Sequence, residues 1–272
     1  MNDPVLTDFN VAAIQMVSSP SVEDNLKQAG ELIAQAADLG TKFACLPEYF
    51  CFMGTSDRQK FLIKERLGDG PIQDFLANMA AKHGIWIAGG TLPLDCPDPE
   101  RVFNTSLVYD PDGRLASRYD KIHLFNFKRG TESYDESIAI RPGESVQAIQ
   151  TPLGRVGLSV CYDLRFPELY RAMGQVDLIL VPAAFTYTTG KAHWELLLRA
   201  RAVENQCYVL AAAQGGHHEN GRRTWGHSML IDPWGEIIDV LPEGPGVVRG
   251  TIEAERLTQV RASLPALRHR VL

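Results

Sequence analysis

No stretch of this chain approaches the ~20 consecutive apolar residues that a bilayer-spanning helix needs. The start, Met1 to Asn10, has neither the basic segment nor the apolar segment of a secretory leader. Both absences point to a cytoplasmic protein with no membrane partner. Positive charge is also short: 27 Lys and Arg stand against 33 Asp and Glu, a formal net charge of -6. No overall field is available to hold a phosphate backbone, so nucleic acid is not an expected partner. Cysteine is sparse and odd in number. Cys45, Cys51, Cys96, Cys161 and Cys207 show neither CxxC spacing nor short-range pairing, which argues against a disulfide framework and for free thiols. No Ser/Gly/Pro-rich linker, charge block or fixed-period repeat divides the chain. His217-His218-Glu219 has no second ligand cluster at useful spacing and sits between Gly215-Gly216 and Asn220-Gly221, so it reads as loop decoration and no metal or cofactor is expected.

What is present is the composition of a globular domain, 45% hydrophobic and 22% charged, over 272 residues. That length is near the size at which one core stops growing, and the expectation is a single α/β domain over residues 1–272. Val11 to Met16 reads as a buried strand, Ser21 starts an amphipathic helix with Leu26, Ala29, Ile33 and Ala36 on one face, and Phe43 to Leu46 reads as the next strand. Gly70-Pro71 opens a second helix that Gly84 ends. Strand and helix continue to alternate, with helices expected from Pro167 and over Ala192 to Asn205. The tight-turn sequences Asp110-Pro111-Asp112-Gly113 and Asp232-Pro233-Trp234-Gly235 add antiparallel pairs, which predicts mixed sheets.

Three apolar runs each end on a polar residue: Leu46-Pro47-Glu48, Tyr119-Asp120-Lys121 and Ser159-Val160-Cys161. Strand ends are where α/β folds build sites. Cys161 viewed alone reads more readily as a packed core thiol, and Glu48 and Lys121 alone read equally well as surface charges. Together they supply what a cysteine nucleophile needs. A thiol with an ordinary pKa near ~8.5 is protonated at neutral pH, so it requires a base and a cation. Glu48 would take the proton and pass it to the leaving nitrogen, and Lys121 would hold the oxyanion beside the Tyr162 amide. The elbow of a serine hydrolase is absent, since Gly157-Leu158-Ser159-Val160-Cys161 and Gly226-His227-Ser228-Met229-Leu230 both lack its final glycine. A Cys-His pair using His123 stays open from composition alone.

Leu46-Pro47-Glu48, Tyr119-Asp120-Lys121-Ile122-His123-Leu124-Phe125 and Cys161-Tyr162-Asp163-Leu164-Arg165-Phe166-Pro167-Glu168 resemble the three catalytic motifs of the nitrilase (carbon-nitrogen hydrolase) superfamily, in its order. The resemblance runs from about Val11 to about Arg270. It implies a four-layer αββα sandwich, a Cys thioester intermediate, and assembly into a homodimer or larger oligomer. It puts the general base on Glu48, the lysine on Lys121 and the nucleophile on Cys161. A second active-site glutamate falls on Glu136, in Tyr134-Asp135-Glu136-Ser137, with Glu132 as its competitor. Ala192-His193-Trp194-Glu195, Gln206-Cys207-Tyr208-Val209 and Gly226-His227-Ser228-Met229 are similar to the Nit branch that acts on deaminated glutathione, and Thr186 to Thr188 and Asn220 to Trp225 depart from it. The branch implies a small anionic amide with an α-keto acid end, cleaved to 2-oxoglutarate and cysteinylglycine, with an ω-amidase activity as the sibling. Arg165 would clamp the carboxylate, or else pair with Glu168, and Thr189 would add a hydroxyl. Leu196, Leu197, Val203 and Trp194 read as either core or oligomer interface.

Overall fold

The computed structural model of the chain describes residues 7–130 and 132–271. The first six residues of the Met1 to Asn10 segment read for a leader lie outside these, as do the outermost residues of the expected 1–272 domain. Alternation of side chains along the strands builds the layers. In the strand Phe9–Gln15, Phe9, Val11 and Ala13 join one apolar cluster, while Ile14 faces another. Phe43–Cys45 repeats this, with Phe43 and Cys45 on the first side and Ala44 on the second. Both faces of these strands are buried, which is why they read as continuous apolar runs.

The first sheet has seven strands in the order Gly246–Ile252, Phe9–Gln15, Phe43–Cys45, Trp86–Ala88, Val102–Tyr109, Leu92–Asp95, with Leu115–Asp120 also paired to Val102–Tyr109. Its outer face is covered by the helices Val22–Asp38 and Pro71–His83 through Ala29, Ile33, Ile72, Leu76 and Ala80. The second sheet runs Ile237–Leu241, Ser228–Ile231, Tyr208–Ala213, Leu178–Ala183, Gly154–Leu158, Gln147–Thr151. The helix Tyr187–Asn205 covers it with Trp194, Leu198 and Ala202. The two sheets face each other across the first cluster, giving helix, sheet, sheet, helix. They touch at one rim, where Gly215 N donates to Met16 O at 2.9 Å. Each fully buried Val, Leu or Ile in this sandwich contributes roughly 1.5–3 kcal/mol.

The helix expected at Ala192 begins five residues earlier, at Tyr187. Tyr187-Thr188-Thr189-Gly190 has poor helix propensity. Thr186 overrides it, because its hydroxyl accepts from Thr189 N and satisfies an otherwise open first-turn donor. Trp194 proves to be core, fully buried against Phe185, whereas Leu196 and Val203 are exposed.

Candidate active site

Glu48 and Lys121 come from the first sheet and Cys161 from the second, so the three strand ends meet where the sheets face each other. The chain turns sharply at two of them. Tyr49, after Glu48, has φ +57°, and Cys161 itself has φ +51°. Left-handed backbone at a non-glycine residue costs on the order of 1–3 kcal/mol and persists only where its surroundings hold it. Gly90 makes the first turn possible, since a Cβ there would lie 2.0 Å from Pro47 O.

Around Cys161 the holder is Asp163, which is fully buried. Its carboxylate accepts from Val160 N at 2.8 Å, Tyr119 OH at 2.7 Å and His123 N at 3.0 Å, and His123 Nδ1 lies 2.7 Å away. His123 also stacks on Phe166 with ring centres 3.7 Å apart. The imidazole therefore orients the turn through Asp163.

Lys121 and Glu48 are buried together. Lys121 Nζ donates to Glu48 Oε1 at 2.8 Å, to Glu136 Oε2 at 2.8 Å and to Glu136 Oε1 at 3.0 Å, which spends its three protons. Glu48 also accepts from Asn104 Nδ2 at 2.9 Å and, on Oε2, from Ala184 N at 2.9 Å. Glu136 takes Tyr49 OH and Phe125 N, both at 2.8 Å. The competing carboxylate, Glu132, turns away and accepts from Thr188 Oγ1 at 3.0 Å. Tyr49 and Asn104 are site residues that the sequence reading missed.

Burial alone would push Lys121 down, but Glu136 and Glu48 hold its ammonium well above the usual lysine value. Burial works against the Glu136 carboxylate too, and Lys121 outweighs it, so Glu136 sits below the usual range. Burial, followed by the neighbouring Glu48, pushes the Cys161 thiol well up despite Lys121. The resting group is a protonated thiol that shares its cavity with a carboxylate locked to an ammonium. Such an arrangement can move one proton off sulfur as the sulfur attacks, without ever holding a bare buried thiolate.

A cavity of about 400 Å³ opens on Glu48, Glu136 and Cys161. A narrow cleft of about 20 Å³ also borders Cys161, lined by Tyr162, Arg165, Phe185 and Thr189. The Arg165 guanidinium lies 5.7 Å from the Tyr162 ring, 5.5 Å from that of Phe185, and 3.3 Å from His193 Nδ1. Thr189 Oγ1 lies 3.0 Å from Thr186 Oγ1 within the helix cap.

The family model for carbon-nitrogen hydrolases matches residues 10–262. A deaminated glutathione amidase from Yersinia enterocolitica is 42% identical over 97% of this chain and 93% of its own length. The Caenorhabditis elegans NitFhit structure superposes with TM-score 0.87 at 36% identity over 98% of this chain, which spans 66% of that protein. Saccharomyces cerevisiae Nit3, a member of branch 10 of the nitrilase superfamily, superposes with TM-score 0.86 at 32% identity over 97% of each chain. The chain belongs to the carbon-nitrogen hydrolase family.

In this carbon-nitrogen hydrolase His218 is no loop decoration. It is buried, with Nδ1 2.9 Å from Ser18 O and Nε2 2.8 Å from Thr224 Oγ1. Gln214 Nε2 donates both to Ser18 Oγ at 2.7 Å and to the Glu48 carbonyl at 3.1 Å, so one polar chain ties this loop to the backbone of Glu48. Burial holds the His218 pKa below 6.5. A folded pKa below the unfolded one gives stability that is complete above about 6.5 and lost as pH falls below it. Melting temperatures from pH 7.5 to 5.5 are expected to fall more steeply in the wild type than in His218→Gln, and parallel slopes would exclude this role. Among the described residues, no group of three or more His, Cys, Asp or Glu could hold a metal ion, and no helix is long and apolar enough to cross a membrane.

Proposed function

We propose that the chain hydrolyses the side-chain amide of deaminated glutathione, giving 2-oxoglutarate and cysteinylglycine, with Cys161 as nucleophile, Glu48 as general base and acid, and Lys121 as oxyanion donor. The observation that carries the chemistry is the convergence of Cys161 and Glu48 on one cavity, with the Glu48 carboxylate sharing the Lys121 ammonium with Glu136. Cys161 Sγ attacks the amide carbon as Glu48 takes the thiol proton. The carbonyl oxygen becomes an oxyanion facing Lys121 Nζ and the Tyr162 N–H, each donor contributing roughly 3 kcal/mol. Lys121 reaches it by giving up one of its two bonds to Glu136. Glu48 then protonates the nitrogen, the C–N bond breaks and the thioester remains. Water enters, loses a proton to Glu48 and attacks the thioester; the C–S bond breaks and the proton returns to sulfur.

The substrate reading is supported by the activity named for the Yersinia relative, and the Arg165 guanidinium, which lines the cleft beside Cys161, would pair with the keto-acid carboxylate. Thr189 serves this cleft as a lining residue beside its Thr186 partner. Free thiols suit the reducing cytoplasm, and a second copy would cover the exposed Leu196, Val203 and Trp234. The working unit is a single domain over residues 1–272.

The test is steady-state turnover of deaminated glutathione, α-ketoglutaramate and a simple nitrile, read as released amine or ammonia. The highest kcat/KM is expected for deaminated glutathione. A clear preference for α-ketoglutaramate would overturn the substrate and make the chain an ω-amidase by the same steps.

A further inference from the structure

The two cavities that border Cys161 differ in size, about 400 Å³ against about 20 Å³. Outside the catalytic group, the larger cavity carries Lys60, Arg222 and Arg223 on its wall against one carboxylate, Asp135, among its described lining residues. Asp135 is already engaged by Ser137 N at 3.0 Å and Ser137 Oγ at 2.6 Å. Each cation rests on an aromatic face: Lys60 lies 4.9 Å from the Tyr49 ring, Arg222 5.3 Å from Tyr134 and Arg223 3.7 Å from Tyr187. Stacking fixes the plane of a guanidinium while leaving donors at its edge for a ligand. Arg223 lines the cavity while its Nη2 bonds Glu243 at 2.9 Å.

The segment that carries the two arginines is held rigidly. Arg222 N donates to Asn220 Oδ1 at 2.9 Å, Asn220 Nδ2 to Gly54 O at 2.8 Å, His218 N to Arg222 O at 2.9 Å and Tyr187 N to Arg223 O at 3.0 Å. These contacts fix the positive wall before any ligand arrives, which spares the ordering cost at binding. The wall also falls in Asn220 to Trp225, a stretch at which the sequence departs from the branch it otherwise resembles.

Cleavage through a thioester divides the substrate at Cys161. The acyl part stays on Cys161, and the narrow cleft, at about 20 Å³, has no room for the leaving group. A leaving dipeptide spans up to ~7 Å when extended, which requires the larger cavity. Building on the proposed amidase reading, we propose that Arg222 and Arg223, with Lys60, form a second carboxylate subsite on the leaving-group side. It selects amides whose amine portion ends in a carboxylate about a dipeptide's length from the scissile nitrogen.

The test compares three substrates: deaminated glutathione, its C-terminal carboxamide and α-ketoglutaramate, which has no leaving peptide. Arg223→Gln and Arg222→Gln are expected to lower kcat/KM for deaminated glutathione ~10-fold or more relative to the other two, mainly through KM, with Arg→Lys recovering part of the loss. Melting temperature and α-ketoglutaramate turnover report whether each variant is folded. Equal losses on all three substrates, or no loss, overturn the subsite even though deaminated glutathione is turned over. Should the wild type cleave none of the three, the amidase reading fails separately, and the subsite is judged by protection of Cys161 from iodoacetamide. Protection by alanylglycine but not alanylglycinamide, lost in Arg223→Gln, upholds it; no difference between the two dipeptides overturns it.

Discussion

Replacing Cys161 with Ala is expected to lower amide turnover by roughly 10⁴–10⁶-fold, with little change in melting temperature. The rate loss follows from chemistry that no neighbour can supply, because His123 is committed to Asp163 and Glu48 to Lys121, Asn104 and Ala184 N. Stability should hardly move for a compensating reason. Ala loses the small packing of the thiol, but the left-handed φ of +51° is imposed by Asp163 and its four contacts, which the substitution leaves in place. Cys161→Ser is expected to be almost as inactive. A hydroxyl is a far weaker acid than a thiol, and a site that already pushes the thiol up leaves Glu48 too weak a base for it. Stopped reactions analysed by intact mass should show an acyl adduct on the wild type and none on either variant. Turnover by Cys161→Ala above about a hundredth of wild type would remove Cys161 from the nucleophile's place.

The parts of this site that could be read from sequence are those with a local cause. Glu48 and Cys161 each end an apolar run, and Lys121 directly follows the strand Leu115–Asp120, so a strand end is visible within five residues. Glu136 was identified only through a resemblance, with Glu132 competing. Space separates the two, because the hairpin Asn126–Arg129 and Glu132–Asp135 delivers Glu136 to Lys121 and sends Glu132 to Thr188. That hairpin is mostly half-exposed and lacks clean alternation, so no periodicity announced it. Other partners are distant in the chain. Asn104 and Ala184, which fix the Glu48 carboxylate, lie 56 and 136 residues away from it. His218 looked like decoration because its loop is rich in glycine and polar residues, but its burial against Ser18, 200 residues away, is a tertiary contact. The alternation of strand and helix was legible from apolar runs, while the four-layer order came only with the family resemblance. Edge elements such as Gln147–Thr151 and Gly246–Ile252 were not legible, because half-exposed strands at a sheet edge carry a weak pattern.

Lys121→Gln should be the most damaging single change to the fold as well as to the rate, with activity down roughly 10²–10³-fold and stability down by about 3–5 kcal/mol. The ammonium lies between two carboxylates at 2.8 Å each, and both it and Glu48 are shut off from solvent. An amide in its place leaves Glu48 and Glu136 facing each other uncompensated, so one of them must take up a proton. This fixes the pH signature. In the wild type the Glu136 pKa is depressed, and its contribution is present above the ordinary carboxylate pKa and lost as pH falls through the lower folded value. In Lys121→Gln the pair's folded pKa rises above the unfolded one, so its contribution is complete at low pH and lost as pH rises. The gap in melting temperature between the two proteins should therefore be widest near pH 7 and narrow toward pH 4. A double variant, Lys121→Gln with Glu136→Gln, separates the two roles of the lysine. Removing one of the opposed carboxylates should restore most of the stability, yet activity should stay low, since the oxyanion would still lack its cation. A Lys121→Gln protein with wild-type melting behaviour at every pH would mean that Glu48 and Glu136 are not held as a charged group at all, and the proton transfer assigned to Glu48 would lose its basis.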